Sequence, residues 1–373
     1  MKSLNQIAKD SITKLKNNNL LRSLKETSRE DAIYVTVNKK KLISFCCNDY
    51  LGLSSNIITK KAAIKATEQY GTGAGASRFI TGNNILYSKL EEKLAKLKKT
   101  QSALVFGSGY LANIGTIPAL VGKNDLIIAD KLIHACLIDG AALSGATLIR
   151  FSHNQVDKCE YILANKRKSY NNCLILTEHV FSMDGDVSPI NKLYQLADKY
   201  NAWLLTDDAH GLGILPTKKS HIQMGTLSKA VGSYGGYVCA SDNIIEYLRN
   251  KSRSLIYSTA LPPAILASSI AAINIISKDK ELANKALANA RHFTRILNLP
   301  EAQSTIVPLV LQDTERTIKA SQMLEEAGFM VSAIRPPTVP VGTARLRFTF
   351  SAMHNIQNID KLAFVIKQNI LYD

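Results

Sequence analysis

The chain is 373 residues long, 46% hydrophobic and 20% charged, a globular composition with room for a large domain and a smaller one. Its net charge of +16 invites a nucleic-acid partner, yet the excess comes from scattered runs such as Lys39-Lys40-Lys41 and Lys166-Arg167-Lys168, the mark of a solvated face, with no nucleic-acid module beside them. No apolar run is long enough to span a bilayer and the N-terminus lacks the apolar core of a secretory signal, so a cytoplasmic protein binding neither nucleic acid nor membrane is expected.

In chain order, Leu4, Ile7, Ile12 and Leu15 recur at helical spacing in a Lys-rich segment, predicting an amphipathic N-terminal helical arm over residues 1–43. The character then changes. Apolar, strand-prone runs at Asp125–Asp130, Cys173–Glu178, Trp203–Asp208 and Gly236–Ala240 alternate with amphipathic stretches at Ile85–Lys99, Leu111–Val121 and Ile190–Tyr200. Continuous apolar strands between helices imply an α/β domain, residues 44–275, with a mostly parallel sheet covered on both faces. Pro262-Pro263 opens a helical region running to about Leu297. Beyond it, strand (Thr305–Leu311), helix (Thr314–Ala327), strands (Met330–Ile334, Arg345–Phe350) and helix (Ile356–Ile370) predict a small α+β domain over 276–373. The six cysteines form no CxxC pair and no cluster with His at metal spacing, so neither a disulfide framework nor a metal site is expected.

Four segments carry chemistry. In Thr226-Leu227-Ser228-Lys229-Ala230-Val231-Gly232, a lysine sits among small and hydroxylated residues, as a Schiff-base lysine requires: the backbone must admit a cofactor, and hydroxyls can meet a phosphate. Alone, such a lysine is more often a surface group. Leu204-Leu205-Thr206-Asp207-Asp208-Ala209-His210 puts two acids and a histidine where a buried strand ends, the place where open α/β sheets bind ligands. A carboxylate there can pair with a protonated pyridine nitrogen. Gly107-Ser108-Gly109-Tyr110 leads into a helical pattern whose free N–H groups suit an anion. His134, just past an apolar strand, could stack on a flat ring, although a lone histidine is more often structural.

Taken together these segments resemble the α-oxoamine synthase family of fold-type I PLP-dependent transferases. The resemblance extends from Cys47-Asn48-Asp49-Tyr50-Leu51-Gly52-Leu53 through Phe181-Ser182-Met183-Asp184-Gly185-Asp186 to Gly342-Thr343-Ala344-Arg345-Leu346-Arg347, nearly the whole chain. It implies pyridoxal 5′-phosphate held by Lys229, with Asp207 at its ring nitrogen, His210 near its phenolic oxygen and His134 stacked on the ring. It further implies a phosphate site at Ser108, Gly109 and Tyr110 with the Thr226 hydroxyl, Ser182 beside the ring, and Thr259 reaching the phosphate of a neighbouring subunit. A homodimer with shared active sites follows from that last assignment. Substrate-binding expectations fall on Asn48, Glu178, Arg22 and Arg345, the last as the clamp for an amino-acid carboxylate. Arg347 shares the face of Arg345 on the same run.

The run Ala333-Ile334-Arg335-Pro336-Pro337-Thr338-Val339-Pro340 resembles the branch that joins L-alanine to a pimeloyl thioester, on coenzyme A or a carrier protein, with loss of CO2. Glycine-using relatives usually lack Arg335-Pro336-Pro337 and form the nearest alternative. A basic nucleic-acid-binding protein on a retired scaffold of this kind is the alternative from another class.

Overall fold

Runs such as Leu174-Ile175-Leu176 and Leu204-Leu205 lack the polar alternation of a half-exposed strand, and the computed structural model, which describes residues 1–29 and 31–371, buries them in a seven-stranded sheet. In chain order its strands are β1 (Ser102–Phe106), β2 (Leu126–Asp130), β3 (Thr147–Phe151), β4 (Cys173–Glu178), β5 (Trp203–Asp207), β6 (Ile222–Thr226) and β7 (Gly236–Ala240). Across the sheet they run β1-β7-β6-β5-β4-β2-β3; β7 is antiparallel to both neighbours and the others are parallel.

Alternate residues of one strand feed two cores, because successive side chains point to opposite faces. Ile127 and Ala129 join Leu176, Leu205 and Val238 under the helices Gly109–Leu120, Ala135–Ser144 and Asp242–Lys251. Leu126 and Ile128 pack on the other face with Leu163 and Leu193, from the helices Val156–Lys166 and Ile190–Lys199.

A separate core forms in the C-terminal part of the chain, where the strand Ala344–Thr349 lies between Ile306–Gln312 and Ser332–Ile334 and its Phe348 packs on Phe293 at 4.9 Å. Three expectations change in detail. The helical region after Pro262 is two helices, Pro263–Lys278 and Glu281–Ile296. A division at 275/276 would cut the first of these, so we propose Asp279-Lys280 as the division between the domains. The single strand expected at Met330–Ile334 splits around buried Val331: Phe329–Met330 pairs in parallel with Lys40–Ser44, whereas Ser332–Ile334 pairs with Ala344–Thr349. Of the segment expected as a helical arm, only Leu4–Asn17 is helical, with every residue exposed. Tyr34–Val37 and Lys40–Ser44 are instead a hairpin turning at Asn38 and Lys39, both at positive φ, as a tight two-residue turn needs. Val35, Val37 and Leu42 alternate inward and close on Met330.

This architecture gathers the carboxyl ends of β2, β4, β5 and β6 on one side of the sheet and brings Ala344–Thr349 against them. Among the described residues no helix is long and apolar enough to cross a membrane.

Candidate active site

A cavity of about 220 Å³ opens at those strand ends, lined by Ser108, Gly109, Tyr110, His134, Glu178, Asp207, His210, Thr226 and Lys229, with Cys136, Ala209, Met224 and Ser228 completing the wall. Lys229 Nζ lies 2.7 Å from His210 Nε2, and the opposite ring nitrogen, Nδ1, lies 2.6 Å from the Tyr50 hydroxyl. Burial pushes the Tyr50 phenol up to about 12, so it stays protonated, and its oxygen is also within 3.1 Å of Asn48 Oδ1. Burial holds the Lys229 amine below the ordinary lysine value, against the pull of Asp207 and Glu178. His210 is driven well below its usual range by burial and then by the Lys229 and Arg347 cations. The ring is therefore neutral and carries one donor and one acceptor between Tyr50 and Lys229.

Asp207 ends β5. Its Oδ2 accepts from Asn113 Nδ2 at 3.1 Å and its Oδ1 from Ala209 N at 2.9 Å. Burial raises its pKa, and the Lys229 cation opposes that rise. Glu178 is held well above the carboxylate range, by burial first and then by the Asp207 charge. Its Oε1 accepts from His134 N. His134 caps the helix Ala135–Ser144, Nδ1 accepting from Cys136 N at 3.2 Å, which leaves the ring proton on Nε2. Burial keeps this histidine uncharged as well.

The helix Gly109–Leu120 points its N-terminus into the same cavity. Ser108 Oγ accepts from Leu111 N at 3.1 Å, leaving earlier N–H groups of the first turn for an anion. A Cβ on Gly109 would stand 3.4 Å from Thr226 Cβ, so the helix start lies directly against Thr226, whose hydroxyl is 2.8 Å from Ser228 Oγ.

Arg345 and Arg347 share a face of Ala344–Thr349 and are both buried, yet they meet different neighbours. Arg345 Nη1 is 2.6 Å from Asp184 Oδ1 and 3.2 Å from Met183 O, and its Nε donates to Thr343 O. Arg347 Nε donates to Ser182 O, while both terminal nitrogens lie 3.4 Å from Asn48 Oδ1, beside the Tyr50 hydroxyl. Arg347 is also the guanidinium whose charge Lys229, His210 and Tyr50 feel. The geometry thus turns the Arg345 guanidinium to Asp184 and leaves Arg347 facing the reacting groups.

A larger cleft of about 760 Å³ adjoins the pocket through His134, Ser182 and Arg345. Leu132, Ile133, Met183, Pro337 and Val339 form apolar wall, and Arg22, Lys131 and Arg150 bring positive charge. Among the described residues no carboxylate pairs with these three cations. Arg22 Nη2 donates to Thr338 Oγ1 at 3.0 Å, and Arg335 donates to the carbonyls of Asn19 and Leu21, bracing the segment that carries Arg22. Thr259 lines neither cavity; it pairs with Ser77 beside the exposed side chains Phe79, Ile80 and Tyr257. Sequence reasoning missed Tyr50, Asn113 and Cys136, each inside a motif it quoted or next to one, because their partners lie far away along the chain.

The family model for aminotransferase class I and II matches residues 40–366. A curated relative, the 8-amino-7-oxononanoate synthase of Beijerinckia indica subsp. indica, is 49% identical over 98% of this chain and 98% of its own. Among solved structures, a serine palmitoyltransferase variant from S. paucimobilis with PLP–myriocin aldimine bound superposes with a TM-score of 0.92 at 26% identity, covering 98% of each chain. An 8-amino-7-oxononanoate synthase from Francisella tularensis gives 0.76 at 29% identity, over 89% of this chain and 98% of that one.

Proposed function

This chain belongs to the class I and II aminotransferase family of fold-type I PLP enzymes, and we propose that it condenses L-alanine with a pimeloyl thioester, releasing CO2 and free thiol and giving 8-amino-7-oxononanoate for biotin synthesis. The observation that carries this reading is the convergence of an amine, a carboxylate and a helix N-terminus in one buried pocket: Lys229, Asp207 and Gly109. These are the contacts that the aldehyde, ring nitrogen and phosphate of PLP require, so the residues present fit the cofactor. When bound, PLP supplies an electron sink for the pair left on the α-carbon of the amino acid.

The protein's own groups do the rest. Lys229, with its pKa held down by burial, is the base for the α-proton of alanine. His210, hydrogen-bonded on both sides, fixes the direction of the Lys229 amine. Asp207 keeps a negative charge where the pyridine nitrogen sits, held by Asn113 and the Ala209 N–H. For the alanine carboxylate we assign Arg347 in place of Arg345, because the Arg345 fork is already occupied by Asp184. His134 lines both the pocket and the cleft, and would cover one face of a cofactor ring bound between them. The cleft receives the acyl chain along its apolar wall and the anionic donor at Arg22, Lys131 and Arg150. Thr259 lies outside its own chain's pocket, which leaves it free to complete the site of a partner subunit in a homodimer.

The test is thiol release by purified protein with PLP. Alanine with pimeloyl thioester is expected to exceed glycine or a short acyl chain by about ten- to two-hundredfold in kcat/KM, the range a pocket achieves per methylene. A preference for glycine with succinyl or acetyl thioester would overturn the substrate assignment, and the absence of a visible absorption band with PLP would overturn the cofactor.

A further inference from the structure

A buried lysine lies where this reaction has no direct use for it. Lys98 ends the helix Leu86–Lys98 and is 2% exposed, a placement lysine almost never takes without a paired charge. Its ammonium contacts Asp208 Oδ2, while Asp208 Oδ1 lies 2.6 Å from His179 Nδ1. All three side chains are buried.

Asp208 follows Asp207 directly. Asp207 lines the pocket, whereas Asp208 turns to Lys98 and His179 in the interior. Backbone contacts bind the two acids into one unit: His179 N donates to Asp207 O and Asp208 N to Met224 O, both at 2.7 Å. Gly211, the residue after His210, leaves no room beside this unit. A Cβ there would stand 2.2 Å from Asp208 Oδ1 and 2.6 Å from His179 Nδ1. The cluster therefore backs both Asp207 and His210.

Two neighbouring buried carboxylates repel, and one of them normally takes a proton. Burial raises Asp208, yet Lys98 and His179 outweigh it and hold the carboxyl below the usual range. The groups facing the two acids are Glu178 at the end of β4 and His179 just after it, Tyr237 and Cys239 from β7, His134, Cys136 and Lys229 on the pocket side, and Lys98 from its helix. On the Asp208 side, Lys98 is the only permanent cation among them.

We propose that Lys98 is a positioning residue for the reaction: from the interior it neutralises Asp208, so that Asp207 keeps the negative charge that pairs with the pyridine nitrogen of PLP. The proposal rests on the PLP reading above. It makes a helix remote from the pocket part of the electrostatics of cofactor binding.

Wild type, Lys98→Met, Asp208→Asn and the double variant Lys98→Met/Asp208→Asn are titrated with PLP by visible absorbance across pH, with melting of each apoprotein alongside. Lys98→Met is expected to weaken PLP binding by about tenfold or more, one pKa unit in Asp207 being worth a factor of ten. Its affinity should also begin to fall at a higher pH than in wild type. Adding Asp208→Asn removes the uncompensated carboxylate and should return the affinity to within about threefold of wild type. A merely structural lysine would lower the apoprotein Tm without moving the pH profile. An unmoved profile in Lys98→Met, or a double variant no better than the single one, overturns the proposal. Should Lys98→Met not fold, the double variant decides: near wild-type affinity supports the proposal, and weak binding or failure to fold overturns it. A wild type that binds no PLP defeats the functional reading itself.

Discussion

The cofactor pocket and the neighbouring cleft are both lined by charge, but the charge is arranged in opposite ways. In the pocket nearly every ionisable group already has a partner: Lys229 with His210, His210 with Tyr50, Asp207 with Asn113, Glu178 with the His134 N–H. In the cleft, Arg22, Lys131 and Arg150 face an apolar-walled space where the lining carboxylate, Asp184, is already paired with Arg345. A pre-paired pocket holds its geometry before substrate arrives, which is what a charge-shifting reaction demands. Unpaired cations on a wide cleft suit recognition, where the missing partner is the ligand. Arg345 and Arg347, two residues apart on one strand, cross that line: the cleft-lining Arg345 is paired with Asp184, and Arg347, beside the pocket, is the freer guanidinium.

The largest effect is expected inside the pocket. Lys229→Ala should abolish measurable turnover, since the general-base contribution alone is worth about 10²–10⁴-fold, while the apoprotein melts near the wild-type temperature. Turnover like wild type would break the contrast at its centre. Asp207→Asn keeps the shape and removes a charge-assisted contact of about 1.5–3 kcal/mol, or about ten- to over a hundredfold in kcat/KM.

Next comes the arginine pair. Arg347→Lys loses the two-pronged geometry toward the alanine carboxylate and should raise the KM for alanine by about tenfold or more, with PLP absorbance unchanged. Arg345→Lys should instead disturb the Asp184 pair, lowering the Tm with a smaller effect on alanine dependence. The reverse pattern would return the clamp to Arg345. In the cleft, Lys131→Gln and Arg150→Gln should raise the KM for the acyl donor only, by about two- to tenfold, and the difference from wild type should shrink with added salt. A salt-independent loss, or one felt by alanine, would erase the distinction between the two cavities.

The smallest effect concerns the turn between them. His153 bridges Asp130 at 2.9 Å and Asp186 at 2.8 Å, bracing the segment that carries Ser182 and Asp184. Burial lowers its pKa, but the two carboxylates outweigh burial and lift it to about 10. A raised histidine pKa stabilises the fold fully below the unfolded value near 6.5, and that contribution is gone above about pH 10. The Tm gap between wild type and His153→Asn should therefore be constant below pH 6.5 and close between 6.5 and about 10. A gap that widens with rising pH would show that His153 is not the charged brace.

Much of the pocket was legible because its residues sit in short runs with a mechanical reason: a lysine among small residues, an acid at a strand end, a glycine at a helix start. The split between Asp207 and Asp208 was half legible. Adjacent residues must face opposite sides, but that Asp208 is the one turned inward shows only in its pair with Lys98, more than a hundred residues away. The choice between Arg345 and Arg347 was not legible for a related reason. Both arginines fit the alternation of one strand, and only Asp184, brought in from another turn, shows which guanidinium is already engaged.

By itself the sequence determined what depends on neighbours along the chain: the covered parallel sheet, from unbroken apolar runs; the candidate lysine and acid of the pocket, from local motif; the later strands and helices around Ala344–Thr349, from changing periodicity. The tertiary structure alone decided what depends on distant partners: the hairpin at Tyr34–Ser44 closing on Phe329–Met330, the Tyr50–His210–Lys229 chain, the Arg347 orientation and the burial of Lys98. The physical reason is that periodicity and turn chemistry act over a few residues. A buried charge or hydrogen bond instead takes its energy from whichever group the fold brings within about 3 Å, wherever that group lies in the chain.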